Sequence, residues 1–407
     1  MSLVSNLISV LGSIESDAVS VHEERCISVR NRNADCLRCA ESCTSGAISY
    51  VDGEMKIDQS ACIGCGTCAT ACPTCAIEVR HPSDEELVKY VKSAIVASKG
   101  HPVIACSCAL DQADARAASQ HGRSRKTSAY DMTQICAVPC LGRIDESLLV
   151  GLGAYKSHDV TLVCGSCESC VHAAGGAMIR QVIPSAASML AAFDSPLTIT
   201  LTNTLPDHVR GCSSYGRAAA QSGEDRRDFF RSMREKGAQA VVSAADGGSR
   251  PDVRPPAAYQ KVGEDGTLSH FVPQRRIRVY NYLKHIGEPV HDSVKTRIIG
   301  RVSIDADLCT SCRMCAVFCP TGAIEKHDGD FFGIVHRPAK CVQCRLCESI
   351  CPVSAIKVDD EVPIEHFVGK RAVAYRMKEP EWTPNKPESM YAKVHSVLGD
   401  DLEMCAF

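Results

Sequence analysis

"CTSCRMCAVFCP" (Cys309–Pro320) and "CVQCRLCESICP" (Cys341–Pro352) are two copies of one pattern. In each, three cysteines stand three residues apart, a fourth follows four residues later, and a proline comes next. Three thiols at that spacing wrap a tight turn around one iron–sulfur cube, while the fourth points away and ligates the second cube. The crossing predicts the ligand sets. Cys309, Cys312, Cys315 and Cys351 hold one [4Fe–4S] cluster, and Cys341, Cys344, Cys347 and Cys319 hold the other. The proline ends the local helix and removes a competing N–H. A zinc site built from cysteines needs two CxxC pairs rather than two ordered sets of four.

The same ending recurs near the start of the chain, in "CTSGAISY" from Cys43 and "CPTCAIEV" from Cys72, beside "CPTGAIEK" from Cys319 and "CPVSAIKV" from Cys351. Such self-similarity is read first, and it gives two paired units, about 20–82 and 300–360. In the N-terminal unit Cys62, Cys65, Cys68 and Cys72 are regular. Its first half is not. Cys36, Cys39 and Cys43 match the last three positions, but Asn33 stands where the first ligand belongs. Cys26 is the nearest replacement. The expected sets are Cys26, Cys36, Cys39 and Cys72 for one cluster, and Cys62, Cys65, Cys68 and Cys43 for the other. Without Cys26 the first cube would be three-iron or would take another ligand. Cys75 stands where sibling repeats carry Gly or Ser and reads as a small core residue.

The chain has 407 residues, 26 of them cysteine, with a net charge of −3. The balanced charge argues against a nucleic-acid partner. Disulfides at this density belong to short secreted chains. The opening "MSLVSNLISVLG" lacks a basic start and a cleavage site, and no apolar run reaches the ~20 residues a membrane span needs. The expectation is a cytoplasmic protein with no transmembrane segment, its thiols reduced and holding metal. With one tryptophan and 5% aromatics, metal–thiolate bonds would carry part of the folding free energy.

Between the paired units the texture changes. Ser83 and Glu86 form a capping box before the amphipathic stretch "DEELVKYVKSAIVAS". The apolar runs "PVIAC", "QICAVPC", "DVTLVC" and "LTITL" then alternate with the helical patterns "ALDQADARAASQ", "DESLLVGLGAY" and "VHAAGGAMIRQVI". Strands alternating with helices predict a parallel sheet. The expected order is therefore an N-terminal dicluster domain (20–82), an α/β domain (83–205), a helical segment and linker (206–299), a C-terminal dicluster domain (300–360) and a tail (361–407). A helix is expected over 225–244 and a Gly- and Pro-rich linker over 245–276. The tail carries no motif and is expected to wrap over a partner or another domain. The fold class is α+β ferredoxin-like dicluster domains flanking an α/β domain with a parallel sheet.

Cys106, Cys140 and Cys164 fall at the ends of predicted strands, with Cys167 and Cys170 in the following loop. Ligands of an open parallel sheet gather beyond the carboxyl ends of its strands, so these thiols converge on one place. The expected ligands of a fifth cluster are Cys106, Cys140, Cys167 and Cys170, with Cys108, Cys136 and Cys164 as substitutes. Spare thiols could instead form a redox pair, Cys106 with Cys108 or Cys136 with Cys140. Asp131, His158 and His172 lie nearby as possible supporting donors, and more simply as surface or capping residues. Cys212 and Cys405 are isolated and read as structural. "GLGAYKSH" from Gly151 follows no strand and is not a nucleotide loop. No P-loop, flavin fingerprint or catalytic triad is visible.

Both end units resemble bacterial two-[4Fe–4S] ferredoxin domains, on the cysteine motifs quoted above. On "ACSCALDQADA", "CLGRID" and "CGSCESCVH", the middle resembles the iron–sulfur delta subunit of methyl-viologen-reducing hydrogenases and heterodisulfide-reductase systems, although the "CGSCESC" spacing departs from that family. The second resemblance implies a [2Fe–2S] cluster that passes electrons between partners; a [4Fe–4S] cluster is the other possibility. Arg25, Arg30, Arg32, Arg38, Arg313, Lys340 and Arg345 stand among the cysteines. Positive charge beside an anionic cluster raises its potential, although each of these side chains taken alone reads as solvated. The whole reads as an electron-transfer subunit of an anaerobic oxidoreductase complex, with about five clusters linking two partners. A flavoprotein, a hydrogenase or a molybdenum/tungsten reductase is the partner implied by resemblance. The second reading is a thiol/disulfide or small-substrate reductase whose active site is the middle cluster, and a third is a scaffold with structural clusters.

Overall fold

Alternating apolar runs and helical patterns build a four-stranded parallel sheet at the centre of the chain. The computed structural model describes residues 18–379, apart from 32, 35, 52, 53, 122–129, 211–262, 264, 265 and 369. Cys212, Cys405 and the helix expected at 225–244 lie outside the described residues.

The N-terminal unit consists of two antiparallel ribbons, β1 (Val19–Val21) with β4 (Ile77–Val79) and β2 (Ile48–Val51) with β3 (Glu54–Ile57). They enclose a small core of Val19, Ile48, Met55, Ile77 and several cysteines. Helix α1 (Asp84–Ala97) starts at Ser83, whose hydroxyl accepts from the Glu86 amide while the Glu86 carboxylate accepts from the Ser83 amide.

The central sheet has the order β6 (Ile135–Val138), β5 (Val103–Cys106), β7 (Asp159–Val163), β8 (Thr198–Thr202). All its pairs are parallel, with Val103 opposite both Ile135 and Thr161. Helices α2 (Ser107–His121), α3 (Glu146–Ala154) and α4 (Ala173–Ala192) connect the strands. Because β6 and β7 lie on opposite sides of β5, the chain reverses its winding there. The carboxyl ends of β5 and β7 thus form a switch-point crevice.

Two stretches to which the sequence assigned no defined structure join this central core. Helix α5 (Gln274–Ile286) packs Val279 and Leu283 into it. Arg275 on α5 pairs with Asp84 and Asp145, and Arg278 also reaches Asp84. Arg143, 2% exposed, completes the knot on Asp84. Burial opposes ionisation of Asp84, but Arg275 and Arg143 hold it far below the usual carboxylate range. Strand β9 (Ser293–Lys295) pairs with a strand from beyond residue 360, and Val294, Val362, Ile364 and Phe367 enter the same core.

The C-terminal unit repeats the N-terminal plan. Strand β10 (Arg301–Ile304) pairs with β13 (Ile356–Asp359), and β11 (Ile324–Asp328) pairs with β12 (Phe332–His336). After β13 the chain supplies β14 (Glu361–Pro363) to β9 and β15 (Val373–Arg376) to the free edge of β12. Covering an exposed strand edge in this way removes unpaired backbone groups.

A line of cysteine recesses

The tight turns that carry the thiols are written into the backbone. Residues two and four places after the first cysteine of a triplet are left-handed: Gly64 and Gly66, Ser311 and Arg313, Gln343 and Arg345. So is the residue three places after each fourth cysteine: Gly46, Cys75, Gly322 and Ser354. Glycine occupies half of the last set because an L side chain is strained there. That geometry accounts for Cys75. It is 7% exposed, and burial pushes its thiol up to about 12.

Cys26, Cys36, Cys39 and Cys72 line one recess of about 290 Å3 with Tyr50 and Met55. Cys26 thus stands where the spacing pattern had a gap, and Asn33 does not line the recess. The Tyr50 hydroxyl lies 3.2 Å from Cys39 Sγ and 3.7 Å from Cys26 Sγ. The Ala76 amide donates to Cys72 Sγ at 3.3 Å. Burial pushes Cys39 up to about 11, so these thiols need a cation before they ionise.

Cys62, Cys65, Cys68 and Cys43 form a second group. Burial raises the Cys68 thiol well above its usual range, and Cys65, Cys62 and Cys43 add to the rise. Cys309, Cys312, Cys315 and Cys351 line a recess of about 380 Å3, in which Ala355 N–H donates to Cys351 Sγ at 3.3 Å. Cys312 is exposed. In the fourth group, burial lifts Cys344 and Cys347 far above the thiol range, and Cys319 and Cys341 lift them further. Two of the crossed sets, Cys26 with Cys36, Cys39 and Cys72 and Cys309 with Cys312, Cys315 and Cys351, each line one recess.

The middle thiols meet at the switch point. Cys106, Cys108, Cys140, Cys164, Cys167 and Cys170 line a recess of about 300 Å3 with His172. The four expected ligands are all there, and so are Cys108 and Cys164. Cys136 is not. It lies inside β6 opposite Ile104, 1% exposed, and only burial acts on its thiol. Neither Asp131, which caps its own turn through Thr133 and Gln134, nor His158 lines the recess. Backbone amides converge on the sulfurs: Ala109 and Gly165 on Cys106, Gly142 on Cys140, and His172 on Cys170, at 3.3–3.4 Å. Gln112 Nε2 donates to Cys108 at 3.4 Å. Cys164 instead donates its own thiol proton to the Thr202 carbonyl. Close approach dictates the glycines here. A Cβ on Gly175 would stand 2.1 Å from Cys140 Sγ, and one on Gly165 would stand 2.6 Å from Cys108 Sγ.

Each group neighbours the next. Cys65 of the second N-terminal group acts on Cys140 of the middle recess, where Ala174 N–H also donates to Thr44 Oγ1 at 3.0 Å. Cys39 acts on Cys68, joining the two N-terminal groups. Arg38 lowers both Cys36 and Cys344 and so joins the N-terminal unit to the C-terminal one. Cys315 acts on Cys347. The spatial order is middle, Cys62 group, Cys26 group, Cys341 group, Cys309 group, which is not the order along the chain.

The donor sets fit iron–sulfur clusters. They are all thiol and, Cys312 apart, buried or partly buried, three of the five line recesses, and every cysteine among the described residues is free of disulfides. Two buried arginines whose acceptors adjoin Cys319 and Cys341, Arg30 and Arg276, carry N–H groups with no hydrogen-bond partner.

The comparisons with known proteins meet this geometry at both ends. A 4Fe–4S dicluster domain model matches residues 308–355, and a 4Fe–4S binding domain model matches residues 53–74. One component of an ion-translocating oxidoreductase complex of Methanosarcina acetivorans is 38% identical over 64 residues, which is 16% of this chain and 22% of that one. The electron transport protein HydN of Escherichia coli (strain K12) is 46% identical over 48 residues, 12% of this chain and 27% of its own. The pyruvate synthase subunit PorD of Thermotoga maritima is 41% identical over 61 residues, 15% of this chain and 54% of its own. The chain spans about half or less of each of these relatives. Among the described residues no helix is long and apolar enough to cross a membrane. The chain carries two ferredoxin-type 4Fe–4S domains, one on each side of the parallel sheet in sequence.

Proposed function

We propose that this chain is an electron-transfer subunit with four [4Fe–4S] clusters and a fifth, [2Fe–2S] or [4Fe–4S], relaying electrons between two redox partners of an oxidoreductase complex. The observation that carries the reading is the succession of five thiol groups, each neighbouring the next. Bound clusters would supply one-electron storage and transfer. The protein's own part is to hold them in sequence and to bury the Cys341 group most deeply. Cys312 is exposed at one end of the line, and Cys108, Cys167 and Cys170 are half-buried at the other, which suits docking of a different partner at each. The relatives named as an electron transport protein and as a subunit of an ion-translocating oxidoreductase complex support the same role. The partners are of the flavoprotein, hydrogenase or molybdenum/tungsten reductase kind, and the setting is cytoplasmic and anaerobic. The resemblance of the middle domain to the delta subunit favours [2Fe–2S] there, with Cys106, Cys140, Cys167 and Cys170 as ligands.

The test is anaerobic purification with iron and acid-labile sulfide analysis, followed by electron transfer across the line. A reductant acting at one end should reduce a dye docked at the other. Cys344→Ala should stop the transfer without disturbing the end groups. Zinc in place of iron, or transfer unaffected by Cys344→Ala, would refute the relay.

The surplus of thiols in the middle recess favours a second reading, reduction of a disulfide or small substrate there. Cys164, whose thiol donates to the Thr202 carbonyl, and His172, whose Nδ1 has no partner, are the residues it would use. Loss of such activity in Cys164→Ser, with iron unchanged, would favour it over the relay alone.

A further inference from the structure

Other arginines of the interior sit on carboxylates: the buried Arg143 and the partly buried Arg275 on Asp84, and the partly buried Arg297 on Glu146. Arg30 and Arg276 do not. They are 6% and 5% exposed, and among the described residues no carboxylate pairs with either. Arg30 donates Nε to the Phe318 carbonyl at 3.3 Å and Nη1 to the Glu24 carbonyl at 3.0 Å, leaving Nη2 without a partner. Arg276 donates Nη2 to the Ala339 and Pro338 carbonyls and stacks 4.4 Å over the Phe367 ring. Its Nε and Nη1 have no partner. Their acceptors adjoin one cysteine set, Phe318 preceding Cys319 and Ala339 standing two residues before Cys341, and the acidic groups that act on them are the thiols of that set, Cys319 and Cys344 on Arg30 and Cys341 on Arg276. Two guanidiniums taken out of water without counter-charge would each cost several kcal/mol. They come from separate parts of the chain, the N-terminal unit and α5, and converge on one cysteine group. The cation at the other regular C-terminal group is engaged elsewhere, since Arg313 pairs with Asp328.

We propose that Arg30 and Arg276 are the built-in counter-charges of the Cys319, Cys341, Cys344 and Cys347 group, and that they make it the first of the four [4Fe–4S] groups to accept an electron. The inference rests on the iron–sulfur reading above. Its physics is simple: reduction adds one negative charge, and unscreened buried cations favour the more negative state. An electron entering the relay would then rest at the fourth position of the line, one step before the exposed Cys309 group.

The test is an EPR-monitored redox titration of the full chain, with the signal of this group identified as the one lost in Cys344→Ala. In the wild type it should be reduced first among the four. Arg276→Met should make its reduction at least tenfold less favourable, a fall of about 59 mV for a one-electron couple, with the other signals in place. Arg276→Lys should restore most of the shift. Should Arg276→Met empty the group, the prediction passes to Arg30→Met, and restored iron in Arg276→Lys would support the counter-charge. A wild-type signal that is not reduced first, or an unmoved midpoint in both Met variants, overturns the inference. Zinc or absent sulfide in the wild type would instead sink the iron–sulfur reading beneath it.

Discussion

Cys36 and Cys344 pack in one apolar cluster with Ile27, Phe318 and Leu346, and the Arg38 guanidinium acts on both thiols. Two units separated in sequence by the whole α/β domain thereby set their cysteine groups side by side. Arg38 is a cation shared between them. Arg38→Glu should therefore make both the Cys26 and Cys341 groups harder to reduce, by about tenfold each, and leave the Cys309 group alone. Redox titration checks this, and a shift confined to one group would show that Arg38 does not bridge.

Cys344→Ala and Cys136→Ala form a contrasting pair. Removing Cys344 should release about four irons per chain. Removing Cys136 should release none, while the cavity left inside β6 lowers stability by about 1–2 kcal/mol. Iron analysis alongside denaturant unfolding separates the two. Iron loss from Cys136→Ala would place that residue among the ligands.

What the sequence made legible follows from locality. Ligand spacing, the crossed pairing and the proline after the fourth cysteine all arise within about a dozen residues, so the C-terminal groups are readable directly. The strand-end positions of Cys106, Cys140 and Cys164 follow from apolar periodicity. Three features are tertiary and have no local signature. The insertion between Cys26 and Cys36 hides a residue that folding returns to the recess. The order of the line depends on how the two units dock. Arg276 falls within a stretch whose Pro, Gly and charge content reads as linker, yet its helix is buried against the central core. The Gly175 and Gly165 approaches to Cys140 and Cys108 are likewise tertiary and appear only in the folded chain.

Gly175→Ala tests that crowding. The added methyl would overlap Cys140 Sγ and approach the backbone of Gly142. The helix itself gains from alanine, so the fold should hold. The middle group should lose its iron while both dicluster units keep theirs. Full iron in this variant would mean that Cys140 is free to move away and is not a ligand.

Cys75→Ser separates conformation from ligation. The left-handed backbone at this position (φ 50°) already accepts serine in the equivalent place at Ser354 (φ 51°). The variant should keep all its iron and remain within about 1 kcal/mol of the parent. A missing cluster would give Cys75 a direct role.

His336 supplies a pH signature. It is 0% exposed on β12, with Nδ1 3.1 Å from the Ala323 carbonyl. Burial lowers its pKa from 6.5 to about 4, against the opposing hydrogen bonds of Ala323 and Gly300. A histidine held below its unfolded pKa leaves the folded state short of a proton that the unfolded chain takes up. Its penalty is absent above pH 6.5, grows as pH falls toward about 4, and reaches about 3 kcal/mol. His336→Asn cannot titrate, so the variant's stability should fall less steeply across that window. Because acid also attacks iron–sulfur groups, the measurement is the difference between wild type and variant in unfolding midpoint at matched iron content. Parallel curves would show that His336 takes up its proton in the folded chain as readily as in the unfolded one.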